Sequence, residues 1–258
     1  MIQLKTAHDV EAMRRAGKIT AAARALAGEM VKPGVSTRAI DKAVHDFITK
    51  QGARPSFLHY NGFPASVCIS INEQVIHGIP GGRVIKEGDI VSIDVGACID
   101  GVHGDCAATY VAGAVSEEVK QLIEVTRQSF LEGIKYARVG YRVPDISRAI
   151  QAYAERFGYG LVREYVGHGV GFKLHEDPEV PNYCDGREGH GPRLMPGMTL
   201  AIEPMVNMGA AAIRVLSDGW TVVTKDGKPS AHYENSILIT DGDPEILTPI
   251  DGDTNHAV

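Results

Sequence analysis

The sequence predicts a mixed α/β domain (α+β class) built as two related halves, each a helix pair plus a β-hairpin, packed together with a site where they meet. Three observations predict it. The first is a change of period, from helical spacing up to about residue 51 to strand-like alternation over Ser66 to about Ile76 and Asp89 to Val111. The second is recurrence: Gly34, Ile40, Ala43, Val44, Phe47 and Gly52 match Gly140, Ile146, Ala149, Ile150, Tyr153 and Gly158 at a constant offset of 106. The third is that GDIVSID at 88–94 matches GMTLAIE at 197–203, an offset of 109 that sets Asp94 against Glu203. HGIP at 77–80 also resembles HEDP at 175–178, at an offset of 98, so the alignment needs a gap and an insertion. Chance similarity of amphipathic helices could explain the helices alone; the acid-for-acid match argues against it.

Each element has a local reason. Thr6 followed three positions later by Asp9 resembles a capping box, and Val10, Met13, Ala16, Ala23, Leu26 and Met30 give the first helix its apolar face. Lys32, Pro33 and Gly34 end it. A second helix from about Thr37 to Gln51 carries Ile40, Ala43, Val44, Phe47 and Ile48, with Gly52 as its cap. After the strands, SEEVKQLIEVTRQSFLEGIKYA from residue 116 predicts a third helix running to Gly140, and a fourth ends before Gly158. Asp100–Gly101, flanked by alternating strands, predicts a two-residue type I′ turn. Facing residues then sum to 201, pairing Gly96 with Asp105 and Asp94 with Ala107. One domain is expected over residues 1–250; 251–258 lacks apolar periodicity and is expected to fray.

Composition narrows the function classes. The 258 residues suffice for one large domain that needs neither disulfide nor structural metal for its core. A net charge of −6, with both signs mixed along the chain, argues against a protein that chiefly grips nucleic-acid phosphates. Uncharged stretches are broken well before the ~18 apolar residues of a membrane span. The N-terminus turns charged at once instead of entering an apolar signal core, so a cytoplasmic protein is expected. Cys68, Cys98, Cys106 and Cys184 show no CxxC or zinc-finger spacing and read as reduced, mostly buried thiols.

The chemistry lies in carboxylates on apolar strands. On the predicted hairpin Asp94 and Asp105 lie diagonally on one face, where they repel and lose hydration unless a cation sits between them. Two such acids can also share a solvated face, but Ile93, Val95 and Ala107 make a poor one. Glu203 in TLAIEPMV and Glu234 in HYENSILIT are each a lone acid in an apolar strand, costly unless paired, protonated or metal-bound. His168 lies in GHGVG, where flanking glycines leave the imidazole free to point into a cavity; taken singly, such a histidine is more often packed or capping than ligating. Two Asp, two Glu and one His together suit two hard or borderline divalent cations sharing carboxylates.

The chain resembles peptidase family M24, with the pita-bread fold, and within it the short, type I methionine aminopeptidases. The resemblance runs from about residue 2 to 250 and rests on VSIDVG with HGD at 103–105, GHGVG with LHEDP, and TLAIEPM with HYENSI. It implies pseudo-twofold halves around a central curved antiparallel sheet, and removal of N-terminal methionine from peptides and nascent chains. Carried onto this sequence, the dimetal ligands fall on Asp94, Asp105, His168, Glu203 and Glu234, with Asp105 and Glu234 bridging. Asp94 would belong to one ion, His168 and Glu203 to the other. The ions would be cobalt, manganese, iron, nickel or zinc.

The same resemblance makes Glu203 the general base, His175 the group stabilising the tetrahedral oxygen, and His77 the partner of the scissile amide. It builds a methionine pocket from Phe57, Tyr60, Phe63, Cys68, Leu174 and Trp220; as a bare pattern, PSFLHYNGF is an aromatic-rich loop or edge strand. Work near the ribosome is implied by the family alone, and a monomer is expected. Cys106 stands where Thr is common, and 184–194 reads as a surface insertion with its own His190 and no assigned role. Three rivals remain: a prolidase or proline aminopeptidase of the same fold, a pita-bread protein that only binds, and a calcium or magnesium stabilising site. The first carries a large domain before the catalytic one, whereas here the catalytic pattern fills the chain; an intact ligand set opposes the second, and His168 disfavours the third.

Overall fold

The computed structural model describes residues 1–184, 186 and 190–249. The expected tail at 251–258 lies outside the described residues, as do 185 and 187–189 of the expected surface insertion. The insertion's His190 is exposed.

Four helices form where periodicity places them. In α1, Ala7–Glu29, the Thr6 side chain accepts from the Asp9 N–H and the Asp9 carboxylate from the Thr6 N–H, a complete capping box. In α2, Thr37–Lys50, the Ser36 hydroxyl caps the first turn. The third and fourth helices, α3 (Glu117–Ile134) and α4 (Val143–Ala154), repeat the arrangement, with Ser116 and Arg142 as their N-caps. Helices α1 and α2 bury Ala23, Ile40, Val44 and Ile48 against Val67, Ile69, Val91 and Ile93. Helices α3 and α4 bury Leu122, Phe130, Ile146 and Ile150 against Leu200, Ile202, Val206 and Ile237.

Backbone geometry carries the repeat further than the sequence does. Gly34 and Gly140 have φ of 93° and 98°, Gly52 and Gly158 both 74°, Gly88 and Gly197 85° and 86°. The positive φ at each is why glycine recurs there. Ile85 N–H donates to Val35 O as Leu194 N–H donates to Tyr141 O, and Thr37 N–H to Arg83 O as Val143 N–H to Pro192 O. The halves are therefore equivalent in how each helix pair is tied to its hairpin.

The central sheet has nine antiparallel strands, running in order Arg54–Pro55, Ile90–Ile99, Val102–Val111, Glu234–Leu238, Thr199–Ile202, Gly167–Gly169 and Glu176–Val180. Val67–Ile71 also pairs with Ile90–Ile99, and Glu245–Ile246 with Glu234–Leu238. The first hairpin keeps the expected register throughout, including Gly96 opposite Asp105 and Asp94 opposite Ala107. Its tip, Asp100 and Gly101, has φ of 52° and 79°, as a type I′ turn requires.

Two features differ from expectation. The strand expected from Ser66 to Ile76 is two strands, Val67–Ile71 and Gln74–Ile76, because Asn72 turns the chain at φ 59°. In the second half the hairpin is opened at its tip. Asn235 pairs with Ile202 and His232 with Met205, so the same register (pairs summing to 437) spans Thr199–Ile202 and Met205–Asn207 against Ser230–His232 and Glu234–Leu238. A two-residue turn is replaced by residues 208–229, which contribute Ile213–Val215 and Val222–Thr224 to a separate three-stranded sheet with Gln74–Ile76.

Candidate metal centre and substrate pocket

Adjacent strands bring the five expected ligands together. Ala107 faces Asp94 on one neighbouring strand and Glu234 on the other, so the two acids flank a methyl group on one face of the sheet. Asp105 stands two residues along the same strand, on that face. Glu203 follows Ile202, and His168 pairs with Ala201 on the next strand. His168 Nε2 lies 3.6 Å from Glu203 Oε1 and 3.9 Å from Asp105 Oδ2.

The cluster is buried, and burial sets its electrostatics. Burial first, then the neighbouring Asp94 and Glu203 carboxylates, pushes Asp105 well above the usual carboxylate range. Burial drives Glu203 and Glu234 up in the same direction, with the other acids adding to it. Asp94 is raised to about 7 by burial, moderated by a hydrogen bond with Asp105 and by the Arg24 cation. Burial lowers His168 to about 3, so its ring is neutral. Arg24 lies fully buried on α1, and its Nη1 donates to the carbonyls of Ala107 (2.8 Å) and Glu234 (3.1 Å).

The donor set fits divalent cations. Asp94 Oδ1, Asp105 Oδ1 and Glu234 Oε1 are buried without a hydrogen-bond partner. Four carboxylates forced together in low dielectric with unpaired oxygens are stable in the ionised state only around positive charge. Among the described residues, ligand atoms of Asp105, His168 and Glu234 lie within 4.8 Å of one another, as do those of Glu203, His232 and Glu234. His168 Nδ1 lies 2.8 Å from the Gly169 carbonyl; donation there leaves Nε2 free to ligate.

The two further histidines flank this cluster. His175 lies tilted against His168 with ring centroids 4.1 Å apart and stacks on Tyr60 at 5.2 Å. His77 sits at φ 57°, edge-on to Tyr165 and Trp220, and burial lowers it to about 4. All six expected pocket residues form one apolar group: Phe57, Phe63, Cys68 and Leu174 are buried, with Tyr60 and Trp220 packed against them. Phe63 meets Trp220 edge to face at 5.2 Å. Ala65 and Ile79 belong to the same group and were not expected. Burial and the nearby carboxylates raise the Cys68 thiol well above its ordinary value, so it acts as an apolar wall. Cys106, also buried, is raised to about 12.

His232 is the residue the sequence did not single out. It is buried, and it lies near the acids although it is quoted only as part of HYENSI. The signal that finds it is the register of the second hairpin, and without a two-residue turn there was nowhere to count from.

With this geometry in place, similarity to known proteins fixes the class. The chain belongs to metallopeptidase family M24, which matches residues 11–241. It is 55% identical over 250 residues to the methionine aminopeptidase of Clostridium perfringens, covering 97% of this chain and 100% of that one. It is 52% identical, with the same coverages, to methionine aminopeptidase 1 of Bacillus subtilis. The crystal structure of methionine aminopeptidase from Thermotoga maritima superposes with a TM-score of 0.94 at 45% identity, covering 97% of this chain and 100% of that one. The fold is accordingly the pita-bread fold. No helix among the described residues is long and apolar enough to cross a membrane.

Proposed function

We propose that this chain is a metal-dependent exopeptidase that hydrolyses N-terminal methionine from peptides and nascent proteins. The observation that carries the reading is a buried acid cluster next to an apolar aromatic group whose Cys68 pairs with Asp94, a neighbourhood whose chemistry suits a methionine side chain. Asp94, Asp105, His168, Glu203 and Glu234 would hold two divalent ions, drawn from cobalt, manganese, iron, nickel and zinc, with Asp105 and Glu234 as the carboxylates that would serve both. When bound, such ions polarise the scissile carbonyl and make water a nucleophile near neutral pH.

The chain's own residues do the rest. Glu203 accepts the proton of the attacking water and returns it to the leaving amine. His175 donates to the oxygen of the tetrahedral intermediate, its other nitrogen lying 2.8 Å from the Tyr60 hydroxyl. His77 hydrogen-bonds the scissile amide. Phe57, Tyr60, Phe63, Cys68, Leu174 and Trp220 receive the thioether chain, which makes favourable contacts with aromatic edges. A free α-amine is required because only a primary amine can approach the acid cluster while the side chain fills the pocket. In the same reading the protein works as a cytoplasmic monomer on chains emerging near the ribosome.

Initial rates on MetAlaSer, its N-acetylated form, LeuAlaSer and AlaProAla, with metal-stripped and reloaded protein, test the reading. Metal-dependent cleavage of MetAlaSer alone is expected. Preference for AlaProAla points to proline-directed hydrolysis, and a folded, metal-bearing protein that cleaves none of them refutes the enzyme.

A further inference from the structure

The pseudo-twofold relation pairs every inward-facing position of the two hairpins. Asp94 corresponds to Glu203 at an offset of 109, and the facing strands correspond at 127, since pairs summing to 201 become pairs summing to 437. Ala112 N–H donates to Asp89 O as Ile239 N–H donates to Met198 O, which fixes the 127 offset independently. Ala107 then corresponds to Glu234, and Asp105 corresponds to His232. Gly96, opposite Asp105, corresponds to Met205, opposite His232. His232 thus occupies, in the second half, the place that a carboxylate ligand fills in the first.

Its surroundings agree with that place. His232 Nε2 lies 3.8 Å from Glu203 Oε2 and 3.8 Å from Glu234 Oε2. His168 stands in the same relation to its own acids, at 3.6 and 3.9 Å. These separations are too long for hydrogen bonds. They suit donors that share an ion about 2.0–2.2 Å from each. Both ring nitrogens of His232 are buried without a hydrogen-bond partner, an arrangement that leaves a polar ring desolvated unless something binds it. The ring is held there by its backbone: Thr109 Oγ1 accepts from the His232 N–H and donates to the His232 carbonyl, and itself bonds Ser92 Oγ.

We propose that His232 is a metal ligand, a second imidazole that joins Glu203 and Glu234 at the ion His168 also serves. The inference rests on divalent-metal binding by the family but not on the identity of the substrate. Cobalt(II)-loaded protein tests it by proton NMR, because each coordinated neutral imidazole carries one exchangeable N–H that the paramagnetic ion shifts far outside the normal range. Two such resonances are expected in the wild type, one in His232→Gln and one in His168→Gln. A single resonance in the wild type, lost in His168→Gln and retained in His232→Gln, overturns the assignment while leaving metal binding intact. The wild-type count alone decides the matter if either variant fails to fold.

Discussion

His175 Nδ1 and the Tyr60 hydroxyl are 2.8 Å apart, and their rings are stacked. That contact fixes the imidazole's rotation and leaves Nε2 free, so a histidine from the second half is oriented by a tyrosine from the first. His175→Ala is expected to fold, keep its metal and lose about 100- to 1000-fold in kcat, the usual effect of removing one donor to a tetrahedral oxygen. Normal turnover in that variant refutes the role.

Asp105→Ala should behave differently. Removing an acid assigned to bridge the two ions is expected to abolish metal binding along with activity, measured as metal content after dialysis. Retention of a full complement sinks the bridging assignment.

The acid cluster ties metal to pH. An Asp raised to about 7 in the folded protein and near 3.9 when unfolded binds more protons folded than unfolded between those values. Stability of the metal-free protein therefore falls as pH rises through that window. A cation reverses this by favouring the ionised acids. The Tm of metal-free protein is expected to drop from pH 5 to pH 7.5 while that of loaded protein does not, so the gap widens with pH. Calorimetric melts of both forms check it; parallel curves would contradict the linkage.

Trp220 touches Phe63 edge to face at one wall of the pocket. Trp220→Ala is expected to lower kcat/KM for MetAlaSer on the order of 10-fold, mostly through KM, as loss of a packed aromatic wall would. An effect confined to kcat would place Trp220 elsewhere in the mechanism.

Lys5 and Glu176 form a buried pair at 2.6 Å that ties the N-terminal segment to the strand following His175. Lys5→Ala leaves the Glu176 charge buried and is expected to destabilise by about 3–5 kcal/mol. A shift in the urea midpoint reads this directly, and a change under 1 kcal/mol would show that water replaces the ammonium.

Local signals account for what the sequence disclosed. Asp100–Gly101 set the register of ten pairs because a two-residue turn leaves no freedom in counting. The break at Asn72 is marked only by the polar run Asn72–Glu73–Gln74 between Ile71 and Val75, which carries no Gly or Pro to signal a turn. What makes it is side-chain bonding: Asn72 Nδ2 donates to Asp89 Oδ1 and its Oδ1 accepts from the Ile90 N–H. The five proposed ligands stand out as acids in apolar strands and a histidine among glycines, and their types match the family. His232 lacked such contrast, since a histidine preceding Tyr233 and Glu234 looks like any polar residue at a strand's start. Its meaning depends on pairing across residues 208–229, where no turn chemistry fixed the register.

Those residues, 208–229, have a consequence of their own. A two-residue tip such as Asp100–Gly101 closes its hairpin without reaching beyond it. The longer second tip carries Trp220 into the apolar group of Phe57, Phe63 and Leu174. One half thus lends the pocket a wall that the other half's tip has no residues to supply.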